Sequence, residues 1–330
     1  MNQIPSISKA DFDAGLFNRQ TPVIVRDLVA HWPLVAASKA SNAAADAYLR
    51  SFYRDASVQA FTRDADAGKP FAYNEDLSGL NFQQVTTKLD KILDKIGDHQ
   101  SASASETHYM GSTTLDYCLP SLSEENSLPF GDISPLTSIW IGNQTTVPAH
   151  YDVPDNLACV CAGKRRFTLF PPDQLANLYI GPLDLTPAGQ PISLVDIKNP
   201  DFDQHPKYKE AVQQAQVADL EAGDGIFIPS MWWHHVESFS DLNILINYWW
   251  KQSEGFLGHP PDALLHGIMA LRDLPPEQRK IWQKMFDHYV FNVDEDSTSH
   301  LPPAQRGILS PLTEDKARQL RAQLLSNLNR

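Results

Sequence analysis

The sequence predicts a mainly β fold with flanking helices, in which an antiparallel sandwich or barrel forms the core. Short apolar runs alternate with Gly/Pro turns from residue 109 to residue 254, a pattern typical of antiparallel sandwiches and barrels. On both sides of this region the apolar residues recur at the helical period instead. His150 and Asp152 follow one of the predicted strands at a spacing that suits metal ligands at one end of the barrel.

Residues 1–108 form the first predicted part, which packs on the barrel. Apolar spacing predicts helices at residues 8–18 and 41–54, for which Ser8 and Ser41 are suitable capping residues. The other elements predicted here are a strand at 22–25, a turn at Trp32-Pro33, short strands or loops at 57–62 and 69–73, a helix from Phe82 to Ile96 that Asn81 caps and Gly97 ends, and a mobile loop at 101–105.

Residues 109–254 form the predicted core. Its strands are expected at Thr137–Ile141, Leu157–Cys161, Phe167–Phe170, Gly225–Ile228 and Leu242–Trp250. An insert at residues 171–222 interrupts them and ends in a predicted helix, Lys207–Ala215. Because an insert of this length inside a barrel usually has a function, we expect it to line the substrate groove together with the N-terminal part.

Residues 255–330 form a predicted helical extension. Helices are expected at 261–272, 276–290 and 314–328, with a polar loop at 294–297. The last helix carries an apolar stripe of Ala317, Leu320, Leu324 and Leu328, and the helical C-terminus is expected to be a structural cap.

Composition narrows the function classes. The net charge of −13 and the pI of about 5.2 disfavour non-specific binding to nucleic acids and to anionic membranes. Cys118, Cys159 and Cys161 make no disulfide framework, and the latter two suit core packing. The N-terminus shows no secretory pattern, and no stretch approaches the ~20 apolar residues of a membrane helix. These features predict a cytoplasmic protein.

Three side chains form the predicted metal site. On a strand, residues i and i+2 share a face, so His150 and Asp152 would point the same way. His234, in Trp232-Trp233-His234-His235, supplies the third ligand, and His235 would point away from the site. Two histidines and one carboxylate leave open positions on the metal, as in non-haem Fe(II) oxygenases. The competing interpretation is a buried hydrogen-bonded network in an inactive barrel.

The sequence resembles the JmjC-type, cupin-like 2-oxoglutarate oxygenases, and within them the asparaginyl hydroxylases. The stretches that carry the resemblance are Pro148–Asp152, Arg166–Gln174, Asn199–Phe202, Gly223–Ser238 and Asn247–Trp249. The resemblance implies that the core is a double-stranded β-helix of the jelly-roll type. It also implies Fe(II) at His150, Asp152 and His234, with 2-oxoglutarate as co-substrate and dioxygen as oxidant.

The resemblance also implies residues that bind the co-substrate. Asn156 and Asn247 match asparagines near 2-oxoglutarate, and Tyr109 matches a tyrosine at its distal carboxylate. Arg165 matches a lysine that pairs with that carboxylate, a role that an arginine fork can fill. Three alternatives stay open: Lys164 or Arg166 as the clamp, Arg165 as a solvated surface charge, and Tyr109 as a plain core residue.

The chain departs from the family pattern on both sides of the motif. Val147 stands where the family often has threonine, and Thr146 lies one residue earlier. A hydroxyl contact with the co-substrate is therefore either missing or provided by another residue. Val153-Pro154-Asp155 stands in place of a glutamine-containing segment that binds substrate, so the substrate should differ. Trp249, Tyr151 and Trp232 are the candidate substrate-pocket residues.

These features predict an Fe(II)- and 2-oxoglutarate-dependent dioxygenase that hydroxylates a protein or peptide side chain. The alternatives are a small-molecule hydroxylase of the same class and a non-catalytic cupin-like protein that binds metal or regulates. A homodimer formed through the C-terminal helices is also expected from the resemblance.

Overall fold

The computed structural model describes residues 1–12, 14–63, 69–99, 106–294 and 296–329. The chain forms two compact units, Met1–Gln252 and Ser253–Arg330. The loop expected at 101–105 lies outside the described residues.

Fourteen strands are found in the described part of the chain. They are β1 (Asn2–Gln3), β2 (Ser6–Ser8), β3 (Val23–Arg26), β4 (Ser57–Arg63), β5 (Gln83–Lys88), β6 (Thr107–Thr114), β7 (Leu136–Gly142), β8 (Thr145–His150), β9 (Asp155–Ala162), β10 (Lys164–Phe170), β11 (Gln216–Glu221), β12 (Gly225–Ile228), β13 (Trp233–Ser238) and β14 (Asn243–Trp250).

The described residues also contain α-helices. They are α1 (Pro33–Ala40), α2 (Asn42–Phe52), α3 (Leu89–His99), α4 (Leu115–Cys118), α5 (Leu122–Glu125), α6 (Tyr208–Gln214), α7 (Pro260–Leu271), α8 (Pro276–Phe286) and α9 (Glu314–Leu328). Ser41 caps α2 as expected, since its side chain accepts a hydrogen bond from the backbone nitrogen of Ala44.

Two sheets face each other across the core of the first unit. One has the strand order β1-β11-β10-β13-β8, and the other has the order β2-β3-β12-β9-β14-β7-β6-β4-β5. Strand β9 shows how the layers are arranged, because its side chains alternate. Leu157, Cys159 and Cys161 join the apolar cluster that includes α1–α3, whereas Ala158 and Val160 join the cluster between the sheets. The predicted jelly-roll core with flanking helices is confirmed.

The N-terminal region contributes to the larger sheet as well as to its helical cover. Strands β2 to β5 all belong to that sheet. The helix predicted from Phe82 to Ile96 is wrong in its first half, because Gln83–Lys88 is β5 and pairs antiparallel with β4. The β-branched residues Val85, Thr86 and Thr87 favour a strand over the helix that the apolar spacing suggested.

Several other predicted boundaries also need correction. Residues 8–18 form two short 3₁₀ helices, Lys9–Asp11 and Ala14–Asn18, instead of one helix. Trp32-Pro33 opens α1, since proline is tolerated at the first helical position. The insert predicted at 171–222 is shorter than expected, because its last residues form β11, which pairs with β10. Strand β13, which carries His234, was not predicted as a strand, and the strand expected to carry both His150 and Asp152 ends at His150.

Two glycines permit close approaches in this sheet framework. A Cβ on Gly111 would lie 2.6 Å from Cε2 of Phe61, so glycine lets that ring cross β6. Gly163 has φ +78° in the turn from β9 to β10, and a Cβ there would lie 2.2 Å from Oδ1 of Asn243.

The second unit, Ser253–Arg330, contains α7, α8 and α9. Neither α7 nor α8 contains a buried residue, and Ala317 is the buried residue of α9. Large apolar side chains such as Leu265, Met269 and Phe291 are exposed.

Candidate metal centre and its cavity

His150 and His234 lie opposite each other on neighbouring strands. They are direct partners in the antiparallel pairing of β8 with β13, and their ring centroids are 4.2 Å apart. His150 is the last residue of β8, and His234 is the second residue of β13. The strand register therefore brings together two imidazoles that are far apart in the sequence.

Both imidazoles are held in the orientation that a metal ligand needs. Nδ1 of His150 lies 2.9 Å from the carbonyl oxygen of Pro148, and Nδ1 of His234 lies 3.0 Å from that of Trp232. If each Nδ1–H donates to its carbonyl, each Nε2 is left with a free lone pair. Burial, with a further contribution from His150, lowers the pKa of His234 to about 4. His234 is thus neutral near pH 7, which is the form that binds metal.

Asp152 completes the trio from the loop after β8. Its Oδ2 lies 3.7 Å from Nε2 of His234. The same oxygen accepts hydrogen bonds from Nε1 of Trp249 at 3.1 Å and from Nδ2 of Asn156 at 3.3 Å. These donors fix the carboxylate, although Asp152 does not share a strand with His150 as the sequence pattern suggested.

The donor set fits a divalent transition metal. One ligand atom from each of His150, Asp152 and His234 lies within 4.8 Å of the other two, and this is the only such group found among the described residues. Two imidazoles and one carboxylate match the facial triad of non-haem iron sites. The structure brings together all three predicted metal ligands.

A cavity of about 470 Å³ opens next to the trio, between the two sheets. This volume is in the range of ligand pockets, about 300–1,000 Å³. The three metal ligands line it, and so do five other residues predicted from the sequence: Tyr109, Asn156, Arg165, Asn247 and Trp249.

A chain of hydrogen bonds links the polar side chains of the cavity. Nε1 of Trp140 donates to Oδ1 of Asn247 at 2.8 Å, and Nδ2 of Asn247 donates to Oδ1 of Asn156 at 3.4 Å. Asn156 in turn donates to Asp152. The two predicted asparagines therefore connect the cavity wall to the metal ligand.

Arg165 is the basic residue of β10 that enters the cavity. It is only 3% exposed, and its Nε and Nη2 have no hydrogen-bond partner in the part of the chain that the structure describes. Its neighbours lie on the exposed face, where Lys164 pairs with Glu221 and Arg166 pairs with Asp219. Strand alternation thus separates Arg165 from both rival positions.

Tyr109 interacts with Arg165 in this cavity. Burial raises the pKa of the Tyr109 hydroxyl to about 12, although the nearby guanidinium opposes the shift. Burial likewise lowers the pKa of Arg165. Two donors, a neutral phenol and a cationic guanidinium, are therefore available to one anionic group.

A β-bulge in β8 determines which residue upstream of His150 faces the cavity. Between His234 and Val236 on β13, the partner on β8 changes from His150 to Val147, so β8 carries one extra residue. Val147 lines the cavity as a result. Thr146 faces elsewhere, because its Oγ1 accepts a hydrogen bond from Nζ of Lys198 at 3.2 Å. Thr146 does not replace the missing hydroxyl.

Two residues predicted for the substrate pocket are not among those that line the cavity. Tyr151 packs edge-on against Trp233, with ring centroids 4.9 Å apart. Trp232 belongs to the cluster between the sheets, and its Nε1 donates to the carbonyl oxygen of Gln20. Tyr151 directly follows His150, so its side chain points away from that ligand, whereas Trp232 lies in the turn before β13 and packs into the cluster between the sheets. His235 is buried and is not part of the trio, as predicted.

The cavity also contains aromatic residues that the sequence analysis did not select. Phe61, Phe71, Phe82 and Trp140 all line it. The first three come from the N-terminal region, where residues 57–62 and 69–73 were predicted as short strands or loops and Phe82 as the start of a helix. The alternation of Gln59 and Phe61 along β4 was the available signal for a wall of the cavity.

The fold and the trio agree with the comparison to known families. The profile of the family described as "Cupin-like domain" matches residues 9–256. The chain belongs to the cupin-like domain family. The resemblance noted in the sequence is thereby confirmed.

Curated relatives of this cupin-like chain have several names. It is 33% identical over 138 residues to "Lysine-specific demethylase JMJ31" of Arabidopsis thaliana, which covers 41% of this chain and 24% of the relative. It is 36% identical over 150 residues to "tRNA wybutosine-synthesizing protein 5" of Homo sapiens, covering 41% and 44%. It is 29% identical over 150 residues to "HSPB1-associated protein 1" of Homo sapiens, covering 44% and 30%. The chain thus spans less than half the length of each of these relatives.

Within the described residues of this cupin-like protein, no helix combines the length and the apolar character required to cross a bilayer.

Proposed function

We propose that the chain is an Fe(II)- and 2-oxoglutarate-dependent dioxygenase that hydroxylates a protein or peptide side chain. One observation carries the proposal. The buried Arg165 guanidinium, with two unpartnered nitrogens, lines the same cavity as the His150, Asp152 and His234 trio. A buried cation without an anion is costly, so the cavity is built for an anionic ligand beside a metal.

Each residue of the site has a distinct task. His150, Asp152 and His234 would hold Fe(II), and Trp249 and Asn156 keep the carboxylate in place. Arg165 and Tyr109 would hold the distal carboxylate of 2-oxoglutarate through charge-assisted hydrogen bonds. When bound, iron and 2-oxoglutarate supply the oxidising power that inserts one atom of dioxygen into a C–H bond. The aromatic and aliphatic walls exclude water from the reacting groups.

Two segments around the cavity support a macromolecular substrate. Nε2 of Gln84, on β5, donates to the carbonyl oxygen of Pro187, and the Tyr73 hydroxyl donates to that of Pro182. The N-terminal region and the insert after β10 are therefore joined beside the cavity, where they form a surface for a peptide. The name of the Arabidopsis relative, a lysine-specific demethylase, also favours a protein substrate. The net charge of −13 disfavours the tRNA that another relative's name contains.

A non-catalytic metal-binding protein is the main competitor. Such a protein would not require Arg165, because a buried guanidinium adds nothing to metal binding and costs free energy. A small-molecule hydroxylase shares the metal and co-substrate residues, and it differs only in what enters the rest of the cavity.

The test is the conversion of 2-oxoglutarate to succinate by protein reconstituted with Fe(II) without oxygen and then exposed to air. We expect slow conversion without substrate, and none in Asp152→Ala. Asp241→Ala, which removes an exposed carboxylate, is the matched control and should convert like the unmodified protein. Equal rates in Asp152→Ala and Asp241→Ala would contradict the metal assignment. No conversion by iron-loaded protein, with candidate peptides present, would favour the binding protein.

We also propose that a second copy of the chain covers the exposed apolar face of α7 and α8. The support is that neither helix buries a residue, while Leu265, Met269 and Trp282 are exposed. Apolar patches of this kind mark association surfaces. Sedimentation velocity should give a dimer, and Met269→Glu should give a monomer with unchanged metal binding. Leu175→Glu, on the first unit, is the control. A monomer at every concentration of the unmodified protein would contradict the proposal.

A further inference from the structure

The end of the cavity formed by the N-terminal region is an aromatic cluster, which we define as Phe61, Phe71 and Phe82. Phe82 meets Phe61 at 5.3 Å between ring centroids with an interplanar angle of 80°, and meets Phe71 at 5.2 Å and 90°. Phe71 stacks on Tyr109 at 5.9 Å. The cluster thus adjoins the residue that contacts Arg165.

The aromatic wall continues from this cluster to the metal ligands. Tyr109 stacks on Trp140 at 5.8 Å, and Trp140 meets Trp249 edge-on at 6.0 Å. Trp249 donates its hydrogen bond to Asp152. One side of the cavity is therefore aromatic over its whole length, from the metal trio to Phe82.

The charges that line the cavity have assigned partners. Among the described residues, Asp152 supplies its only carboxylate, and Arg165 supplies its only lysine or arginine side chain. Under the proposed function, Asp152 pairs with Fe(II), and Arg165 pairs with the 2-oxoglutarate dianion. These four charges balance to zero. A cationic group that entered the aromatic cluster would find no second carboxylate among the described residues that line the cavity, and burying it there would be costly.

The aromatic cluster also differs from the cages that bind methylated ammonium groups. Such cages direct ring faces at the cation. Here Phe82 meets both partner rings edge to face, so ring faces are occupied by ring edges. The Arg63 guanidinium lies 5.4 Å from the centroid of Phe71, so this ring already has a cation–π partner.

We infer that the aromatic cluster receives a neutral, apolar side chain of the protein substrate, aliphatic or aromatic, and excludes lysine and arginine side chains. The inference rests on the proposed function, because it takes the polar end of the cavity to be occupied by metal and co-substrate. The half-buried Gln190, from the insert, lies at the cavity as a neutral amide and matches this selectivity.

The test uses the full chain loaded with Mn(II) and N-oxalylglycine, a stable analogue of 2-oxoglutarate. Four probes are compared by the paramagnetic broadening of their proton NMR signals: the N-acetyl amides of leucine, phenylalanine, lysine and arginine. Binding of Mn(II) and of the analogue is measured first in the same sample. We expect the two neutral probes to bind at least tenfold more tightly than the two cationic probes.

Two variants sharpen the test. Phe82→Ala should weaken the phenylalanine probe about tenfold, because it removes apolar contact area worth on the order of 1–2 kcal/mol. Gln190→Glu adds a carboxylate of the same shape, and should strengthen the lysine probe several-fold. A change in the neutral probe alone would show that Gln190→Glu acts by another route and would contradict the charge argument.

The failures are distinguishable. If Mn(II) or the analogue does not bind, the proposed function fails, and the inference that rests on it fails too. If both bind but the cationic probes bind as tightly as the neutral ones, or no probe binds, only the inference is overturned.

Discussion

The indole Nε1 of Trp249 donates a 3.1 Å hydrogen bond to Oδ2 of Asp152, and so ties the wall of the cavity to a metal ligand. Trp249 lies on β14 of the larger sheet, whereas Asp152 follows β8 of the smaller one. The bond therefore spans the two layers. It orients the carboxylate of Asp152, which lies in the loop after β8 and is not fixed by strand pairing.

Removing this bond should weaken the metal site. We expect Trp249→Phe to reduce the affinity for Mn(II) about 10- to 100-fold, the usual cost of losing a partner that orients a ligand. Competition with a fluorescent chelator measures it. Trp250→Phe is the control, because the neighbouring Trp250 has a buried Nε1 without a partner among the described residues. Equal affinities in the two variants would show that Trp249 does not orient Asp152.

Arg165 should control the binding of the co-substrate but not of the metal. We expect Arg165→Met to weaken N-oxalylglycine binding about 100-fold, because a buried charge-assisted pair is lost, while Mn(II) affinity stays within a factor of about three. Isothermal titration calorimetry of Mn(II)-loaded protein measures both. Lys164→Met and Arg166→Met are matched controls on the exposed face. Weaker analogue binding in a control instead of Arg165→Met would reverse the assignment of the strand faces.

Acid should destabilise the metal-free protein through its buried histidines. Burial is the main cause that lowers the pKa of His235 to about 3, and burial also lowers that of His234 to about 4. Below the unfolded value of about 6.5, the unfolded chain takes up protons that the folded chain does not. Stability is therefore complete above pH ~6.5 and is lost as the pH falls, by up to about 1.4 kcal/mol per pH unit for each histidine.

Urea unfolding at pH 7.5 and 5.0, with a chelator present, tests this dependence. His235→Gln should lose less free energy of unfolding between the two pH values than the unmodified protein. His300→Gln removes an exposed imidazole and serves as the control. A loss in His235→Gln as large as in the unmodified protein would mean that another group dominates.

Gly163 should be the most sensitive glycine of the barrel turns. In Gly163→Ala, alanine would have to adopt a positive φ, and its Cβ would clash with the side-chain amide of Asn243. We expect this variant to lose about 3 kcal/mol or more of unfolding free energy. Gly131→Ala is the matched control, since φ is +59° but a Cβ would meet no atom within 4 Å. It should cost about 1–2 kcal/mol. Equal costs in urea unfolding would show that the contact with Asn243 relaxes freely.

The sequence was sufficient for the fold class and the metal trio because both depend on local patterns. Strand-length apolar runs with Gly/Pro turns predicted the sheets, and rare ligand types in the right order predicted His150, Asp152 and His234. On β10, Arg165 lines the cavity whereas Lys164 and Arg166 lie on the exposed face, as strand alternation requires.

Other features depended on contacts that are distant in the sequence. The spacing of Phe82, Val85 and Leu89 fits a helix, but pairing with β4 makes Gln83–Lys88 a strand. Phe61 reaches the cavity because β4 joins the larger sheet, and Phe71 reaches it because its backbone nitrogen donates to the carbonyl oxygen of Thr146 on β8. Tyr151 and Trp232 were expected in the cavity. Tyr151 directly follows a ligand in extended chain and points away from it, and Trp232 lies in the turn before β13 instead of on the strand.

The extra residue in β8 means that side-chain direction cannot be found by counting along the sequence. Upstream of the bulge, Val147 faces inward and Thr146 faces Lys198, although Val147 lies three residues before His150. Regular pairing at the present chain length would turn Thr146 inward and present a hydroxyl to the cavity in place of two methyl groups. Deleting the extra residue would instead leave Val147 two residues before His150, on the same face, and would keep this surface apolar. In a homologue, the residue that occupies this surface is therefore the one that pairs with the counterpart of Val236, whatever its distance from the histidine.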